Sequence, residues 1–437
     1  MALTIGEGIV TTTPSATTPG TSRAFPRIVF GLTFALLLSD YMSRQVLAAV
    51  FPFLKAEWAL TDTQLGGLTS VVALAVGVLA VPLSILGDRF GRVRAIVMMG
   101  VLWSLATLGS ALAANYDQMM VSRLLIGVGE AAYGSVGLAV VLAVFPASRR
   151  ASLTGAFMAG GLFGAVIGVA LGGVVAVHLS WRWSFAVMAI VGLVLVLLYR
   201  LLVTDEKLAA HHHADTSDVR TGELALPAAR LSKLFSTPAV VLAYIGSGVQ
   251  LFVAGSLYAW LPSYLNRAYG LAPDKAGVAA AGFILLMGVG MIVCGAVTDR
   301  VSQVVPIRKW STAVGYAAMS MVLVGLAFSV APGKAQLVLL AQGVFFAAGT
   351  AGPAGAMVAN LTPESIRATA FGTLTLSNSL LGLAAGPFVT GILADRFGLV
   401  AAMKLLPVAS AIAVVVLLVG RRVYPASLAR VRAALGS

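Results

Sequence analysis

Charge is scarce in this 437-residue sequence: Asp, Glu, Lys and Arg make up 10% of it, against 59% hydrophobic residues and a mean hydropathy of +0.96. A soluble domain needs far more charge on its surface, so water is excluded as the main solvent. The one cysteine, Cys294, excludes an intrachain disulfide and, inside an apolar run, reads as a small buried hydrophobe. Of the four histidines, three form the run His211, His212, His213 in a polar segment, and His178 stands alone in a loop. Metal-ligand clusters, activated nucleophiles and phosphate loops are all missing, so neither an enzyme nor a metal or organic cofactor is expected. The net charge of +13 is spread in ones to threes between apolar runs and forms no basic stripe, which argues against a nucleic-acid partner. Residues 1–22 are rich in Thr, Ser, Pro and Gly and lack a basic start to a cleavable signal, so a disordered tail is expected there.

What is present is a series of apolar runs about 20 residues long, the length that crosses a bilayer as a helix. Twelve can be marked: Arg27 to Phe53, Gln64 to Leu86, Arg94 to Ala114, Met119 to Phe145, Ala151 to Val177, Trp183 to Leu202, Ala239 to Leu265, Lys275 to Val297, Trp310 to Val330, Gln336 to Val358, Ala368 to Ala394 and Leu399 to Gly420. The longest interruption divides them six and six. The expected organisation is a tail (1–22), a six-helix bundle (23–203), a linker (204–237), a second six-helix bundle (238–423) and a short tail (424–437). With both termini and the linker in the cytoplasm, inside segments hold 20 of the 29 Lys and Arg and outside segments 7. Cytoplasmic loops carry such an excess, so that orientation in a cell inner membrane is expected, with the bilayer as a partner and a single chain as the working unit.

The two halves repeat one another. Leu60, Gly66, Asp88 and Arg89 recur 211 residues later as Leu271, Gly277, Asp299 and Arg300; Pro146, Arg150, Ala151 and Gly155 recur 217 residues later as Pro363, Arg367, Ala368 and Gly372. Duplicated bundles are a hallmark of secondary transporters. The loop Gly87-Asp88-Arg89-Phe90-Gly91-Arg92-Val93-Arg94 is a tight turn whose charges suit a latch made in one conformer and broken in the other. Asp88, Arg89, Gly91 and Arg92, with Asp299 and Arg300, are the candidate latch. This loop resembles the Asp-Arg-x-Gly-Arg signature of the major facilitator superfamily, departing from it at Ser84, where the family usually has Gly. The resemblance implies an all-α membrane fold of two pseudo-symmetric six-helix bundles. The fifth span carries Gly160, Gly164, Gly168 and Gly172, one per turn, for close helix crossing. That stripe resembles the glycine-rich fifth-helix motif of efflux-type members, without its Gly-Pro pair.

Four charges fall inside spans: Asp40 and Arg44 in the first, Arg123 and Glu130 in the fourth. Each is expensive in hydrocarbon, so each is expected to face a cavity and a partner. Asp40 and Arg44 share one helix face, as do Arg123 and Glu130, and counting residues puts both acids roughly 20 Å below the outer surface. Two acids and two bases form a neutral set able to exchange a proton as cavity water comes and goes. Asp40 and Glu130 are therefore the candidate proton-coupling pair, with Arg44 and Arg123 as charge partners and possible head-group ligands, the proton gradient being the only energy source. One midplane cluster without rings along a pore also speaks against a channel. The second half offers neutral groups only, among them Gln250, Tyr258, Gln342 and Asn378, with Thr350 and Ser377. These are candidates for a more apolar cavity wall.

The segment Arg123-Leu124-Leu125-Ile126-Gly127-Val128-Gly129-Glu130-Ala131-Ala132-Tyr133 resembles the spinster-like branch of the superfamily, as do Arg44-Gln45-Val46-Leu47 and Leu60-Thr61-Asp62-Thr63-Gln64-Leu65-Gly66. In the second half the pattern is fold-level only, including Trp260-Leu261-Pro262-Ser263-Tyr264-Leu265. The branch usually has an acid immediately before the first-helix arginine; here that position is Ser43, with Asp40 one turn earlier. The resemblance implies a lysophospholipid or sphingolipid-like amphiphile as cargo. Small organic anions or drugs are the alternative, with the arginines binding a carboxylate.

Overall fold

The computed structural model describes residues 24–146, 149–210, 232–235, 237–363 and 366–435. The expected tails before residue 24, the histidine run and most of the linker lie outside the described residues. Among the described residues twelve helices are long and apolar enough to cross a membrane. They are α1 Phe25–Trp58, α2 Asp62–Phe90, α3 Arg92–Leu112, α4 Tyr116–Ala143, α5 Arg150–His178, α6 Trp181–Leu202, α7 Pro238–Tyr269, α8 Pro273–Ser302, α9 Arg308–Ser329, α10 Lys334–Leu361, α11 Thr369–Phe397 and α12 Leu399–Val431. All twelve expected spans are there.

Several helices outrun the apolar windows that announced them. α1 continues through Pro52 to Trp58, and the helix of α12 passes Pro425 to Leu435, where a tail from residue 424 was expected. His178 is the last residue of α5, its Nδ1 2.9 Å from the Val174 carbonyl, and so is not in a loop. Windows of hydropathy end where polar residues begin, but capped backbone continues beyond them. Three spans are interrupted instead. α4 turns at Ala131 and Ala132, α10 at Ala348 to Thr350, and α11 widens to a π-helix over Asn378–Ala384.

The apolar core is divided in a way that reveals the shape. One buried cluster, with Phe25, Trp103, Tyr133 and Tyr199, belongs to α1–α6 and the residues that directly follow α6. A second, with Tyr244, Trp310, Met357 and Leu417, belongs to α7–α12 and the short segments beside them. Both lie toward the end of the molecule that carries the α2–α3 turn. The third and largest joins Val46, Phe51 and Leu54 to Trp260, Leu261 and Tyr264 at the opposite, far end. The halves therefore pack together at the far end and part at the turn end.

Glycine permits the closest crossings. A Cβ on Gly164 would run into the Leu38 carbonyl oxygen, so the α5 stripe is what lets α5 lie flat on α1 within the first half. Gly91 closes the α2–α3 turn with φ +90°, a value that side-chain-bearing residues rarely adopt.

Candidate functional site

Asp40, Tyr41 and Arg44 of α1 and Glu130 of α4 line a cavity of about 460 Å³ between the halves. Its other walls come from α2, α5 and the first turns of α11, at the turn end of each helix. Glu130 reaches it because the helical hydrogen-bonding of α4 breaks directly after it. The Asp40 and Glu130 carboxyls face each other, 5% and 6% exposed, with Arg44 in electrostatic reach of both. One oxygen of each, Oδ1 and Oε1, is buried without a hydrogen-bond partner. A buried carboxyl oxygen left without a donor is costly unless a proton or a ligand visits it. Among the described residues, Arg44 is the only Lys or Arg in the cavity wall, and Tyr41 and Tyr258 are both in its electrostatic reach. Ser84 and Ser135 face each other at 2.5 Å toward the turn end.

Arg123 sits behind the cavity wall, in electrostatic reach of Glu130 as the expected charge partner. It is fully buried and outside the cavity wall, and its guanidinium donates to backbone carbonyls: Nη1 to Ser43 at 3.1 Å, Nη2 to Arg44 at 2.9 Å and Nε to Leu68 at 3.4 Å. This corrects the expectation of a head-group ligand. The planar fork is spent on pinning α1 and α2 to α4, a geometry that an ammonium on a flexible stem cannot reproduce. Arg123→Met is expected to cost about 2–4 kcal/mol through lost charge-assisted hydrogen bonds, and Arg123→Lys about half of it. Thermal melts of purified protein check this. Equal melting of all three proteins would contradict a clamp.

The expected second-half wall is only partly there. Gln250 is fully buried, with Nε2 on the Ala347 carbonyl at 3.1 Å. Gln342 is exposed, and Asn378 opens the π-helical turn. None of these three lines the cavity, and Tyr258 meets it through Tyr41 and Arg44. Thr350 is buried in the α10 break, and Ser377 is spent on the Tyr244 carbonyl. Thr369, Phe371, Gly372 and Thr375 of α11 form the wall instead. Of the candidate latch, Arg89, Asp299 and Arg300 are exposed, Gly91 makes the turn, Arg92 opens α3, and the side chain of Asp88 lies outside the described residues.

A charged closure at the far end had no counterpart in the sequence reading. Asp62 at the start of α2 receives Lys55 Nζ at 2.6 Å and, from the second half, Arg267 Nη1 and Nη2 both at 2.7 Å. Asp395, at the end of α11, accepts from the Asp62 and Thr63 amides at 2.7 and 2.8 Å and from the Thr63 hydroxyl at 2.6 Å. It thus caps α2 from the other half, beside the box formed by Thr61 and Gln64. Below, Phe51 packs on Trp260, and Ser70 donates to the Ala384 carbonyl at 2.5 Å. The run Asp395-Arg396-Phe397-Gly398 repeats Asp88-Arg89-Phe90-Gly91, and Gly398 has φ +82° where Gly91 has +90°. That repeat was the available signal.

Comparison with known proteins gives one family and a consistent set of relatives. The family model described as Major Facilitator Superfamily matches residues 33–349 and 244–434. A hexuronate transporter of Bacillus subtilis (strain 168) is 25% identical over 374 residues, 82% of this chain and 86% of that protein. Protein spinster homolog 1 of Xenopus laevis is 28% identical over 265 residues, which is 57% of this chain but 48% of that protein, about half its length. The crystal structure of a bacterial homolog to the human lysosomal transporter spinster, inward-facing and unoccupied, superposes with a TM-score of 0.82 at 17% identity, covering 93% of this chain and 99% of that one.

Proposed function

This chain belongs to the major facilitator superfamily, and on that premise we propose that it is a proton-coupled secondary carrier of a small amphiphilic molecule of lysophospholipid type. The observation that carries this reading is the facing pair Asp40 and Glu130, each with an unpartnered buried oxygen, in a cavity that is closed toward one end of the molecule and approached from the other. Such a pair can load a proton from one side and release it to the other once the halves rock about it. We place the α2–α3 turn and both termini in the cytoplasm of an inner membrane, from the excess of Lys and Arg on that side. The described conformation is then open inward, and a single chain suffices for the cycle.

An amphiphile fits the division of the cavity wall. Arg44 offers its only Lys or Arg side chain, for an anionic head, while Val81, Ile85, Val136, Ala139, Met158 and Phe371 give an apolar surface toward the turn end for a tail. A second reading, a sugar acid held by its carboxylate on Arg44 and its hydroxyls on Tyr41, Ser84 and Thr375, draws support from the hexuronate transporter matched along most of its length.

Liposomes containing the protein and a trapped pH dye separate these readings. A lysophospholipid added under a pH gradient is expected to drive proton entry. Proton entry with a hexuronate and none with the lysophospholipid would select the second reading. Substrate flux without proton movement in either case would sink coupling altogether.

A further inference from the structure

On the side of α2 away from the cavity lies a second hollow, about 510 Å³, between α2 and α3. Its lining is entirely apolar: Leu83, Leu86, Gly87 and Phe90 on α2, a row from Ala95 to Leu105 on α3, and Val128 of α4 at its floor. Leu86, Phe90, Met98 and Leu105 stand at its rim, 44%, 57%, 62% and 51% exposed. A helix pair that merely borders fluid lipid has no need of a concavity of molecular size. The groove also has a direction. Arg94 is exposed and one turn before Met98, on the same face of α3, and exposed Arg89 adjoins Phe90 at the end of α2. From Arg94 to Leu105 is eleven residues, about 16 Å along the axis, or roughly half of a 30 Å hydrocarbon core.

We propose that the α2–α3 groove is a binding site for one anionic phospholipid of the leaflet on the turn side, its acyl chain in the groove and its phosphate on Arg94, with Arg89 adjacent. Charge selects the class: the mouth is basic at the depth where head groups lie, and everything below it is apolar, so a molecule with an anionic head and a chain one leaflet long satisfies both ends. The Asp205 carboxylate approaches the turn at Gly91 and Asp88 adjoins Arg89 in the sequence, which makes the turn mixed in charge, but Arg94 lies one turn before Met98 on the groove face of α3. The bound lipid would brace α2 from behind, on the helix that lines the transport cavity in front and carries Asp62 at its far end. This site is separate from the transport cavity and does not depend on what the cavity carries.

The test is native mass spectrometry of the full chain released from micelles containing equal phosphatidylglycerol and phosphatidylcholine. The expected wild-type result is a monomer retaining one phosphatidylglycerol in preference to phosphatidylcholine. Arg94→Gln is expected to reduce that preference about fivefold, and Arg94→Lys to keep most of it. Met98→Trp, which fills the rim from an exposed position, should lower retention of both lipids. Size-exclusion profiles and melts matching wild type establish that the variants are folded. Equal retention of the two lipids by wild type, unchanged retention in both Arg94→Gln and Met98→Trp, or an equal drop in the distant Arg421→Gln would overturn the proposal. So would a dimer whose formation is blocked by Met98→Trp, since a second copy would then occupy the groove.

Discussion

Glu130→Gln is expected to abolish substrate accumulation driven by a pH gradient while leaving exchange of labelled for unlabelled substrate intact. A gradient of about one pH unit stores about 1.4 kcal/mol per proton, enough for roughly tenfold accumulation by a one-proton carrier. In the variant that ratio should fall to one. The amide keeps the shape of the acid, so neither the break in α4 after Glu130 nor the cavity wall changes. What is lost is the ability of the buried Oε1 to gain and lose a proton. Asp40→Asn should act in the same direction, because Asp40 faces Glu130 from α1 and the neighbouring Ser43 carries no titratable group to substitute. Parallel measurements of accumulation and exchange in proteoliposomes decide the matter. Wild-type accumulation in both variants would leave the four charges within the spans as a structural ion set. Loss of exchange as well as accumulation would assign Glu130 to substrate binding.

Much of this was legible in the sequence because the bilayer restricts what backbone can do. A run of about 20 apolar residues has one solution in lipid, so twelve spans could be counted before their packing was known. The facing of Asp40 and Glu130 was legible for a related reason: two antiparallel helices of fixed rise bring residues equally far from one surface to the same depth. The role of Arg123 was not. Spacing shows that it shares a face with Glu130, but backbone carbonyls have no letter in a sequence, and those of Ser43, Arg44 and Leu68 are what it holds. The second-half wall failed for another reason. Gln250, Gln342 and Asn378 were chosen for polarity, yet in a helix buried on several sides the face turned to the cavity is set by neighbours far along the chain. The small first turns of α11, with Gly372, came closest. Asp62 entered only as part of the Leu60 to Gly66 resemblance and was given no partner, because Arg267, which holds it, lies 205 residues away.

Arg267→Ala should open the far end. Every route to the other conformer must separate Asp62 and Lys55, which belong to the first half, from Arg267 and Asp395, which belong to the second. The Asp62 side chain is only 4% exposed, so removing Arg267 leaves a nearly buried carboxylate with Lys55 alone. Breaking a fully buried pair costs about 3–5 kcal/mol. Arg267 is 29% exposed, so solvent screening reduces the effect to about 2 kcal/mol, a shift of roughly thirtyfold between conformers. Because that cost falls on the closed far end alone, the population moves toward the conformer open there. Spin labels on Asp117→Cys and Lys404→Cys, exposed positions at the far end of the two halves, with Cys294 replaced by Ala, report the separation. A single short distance in the parent should gain a longer component in Arg267→Ala, and Arg267→Lys should fall between, since one ammonium cannot span both oxygens. Asp395→Asn should add to the shift, because it weakens the charge that caps α2 from the opposite half. An unchanged distance in Arg267→Ala would mean that the apolar seam from Phe51 and Trp260 to the α2–α11 crossing holds the far end shut without the ion pairs.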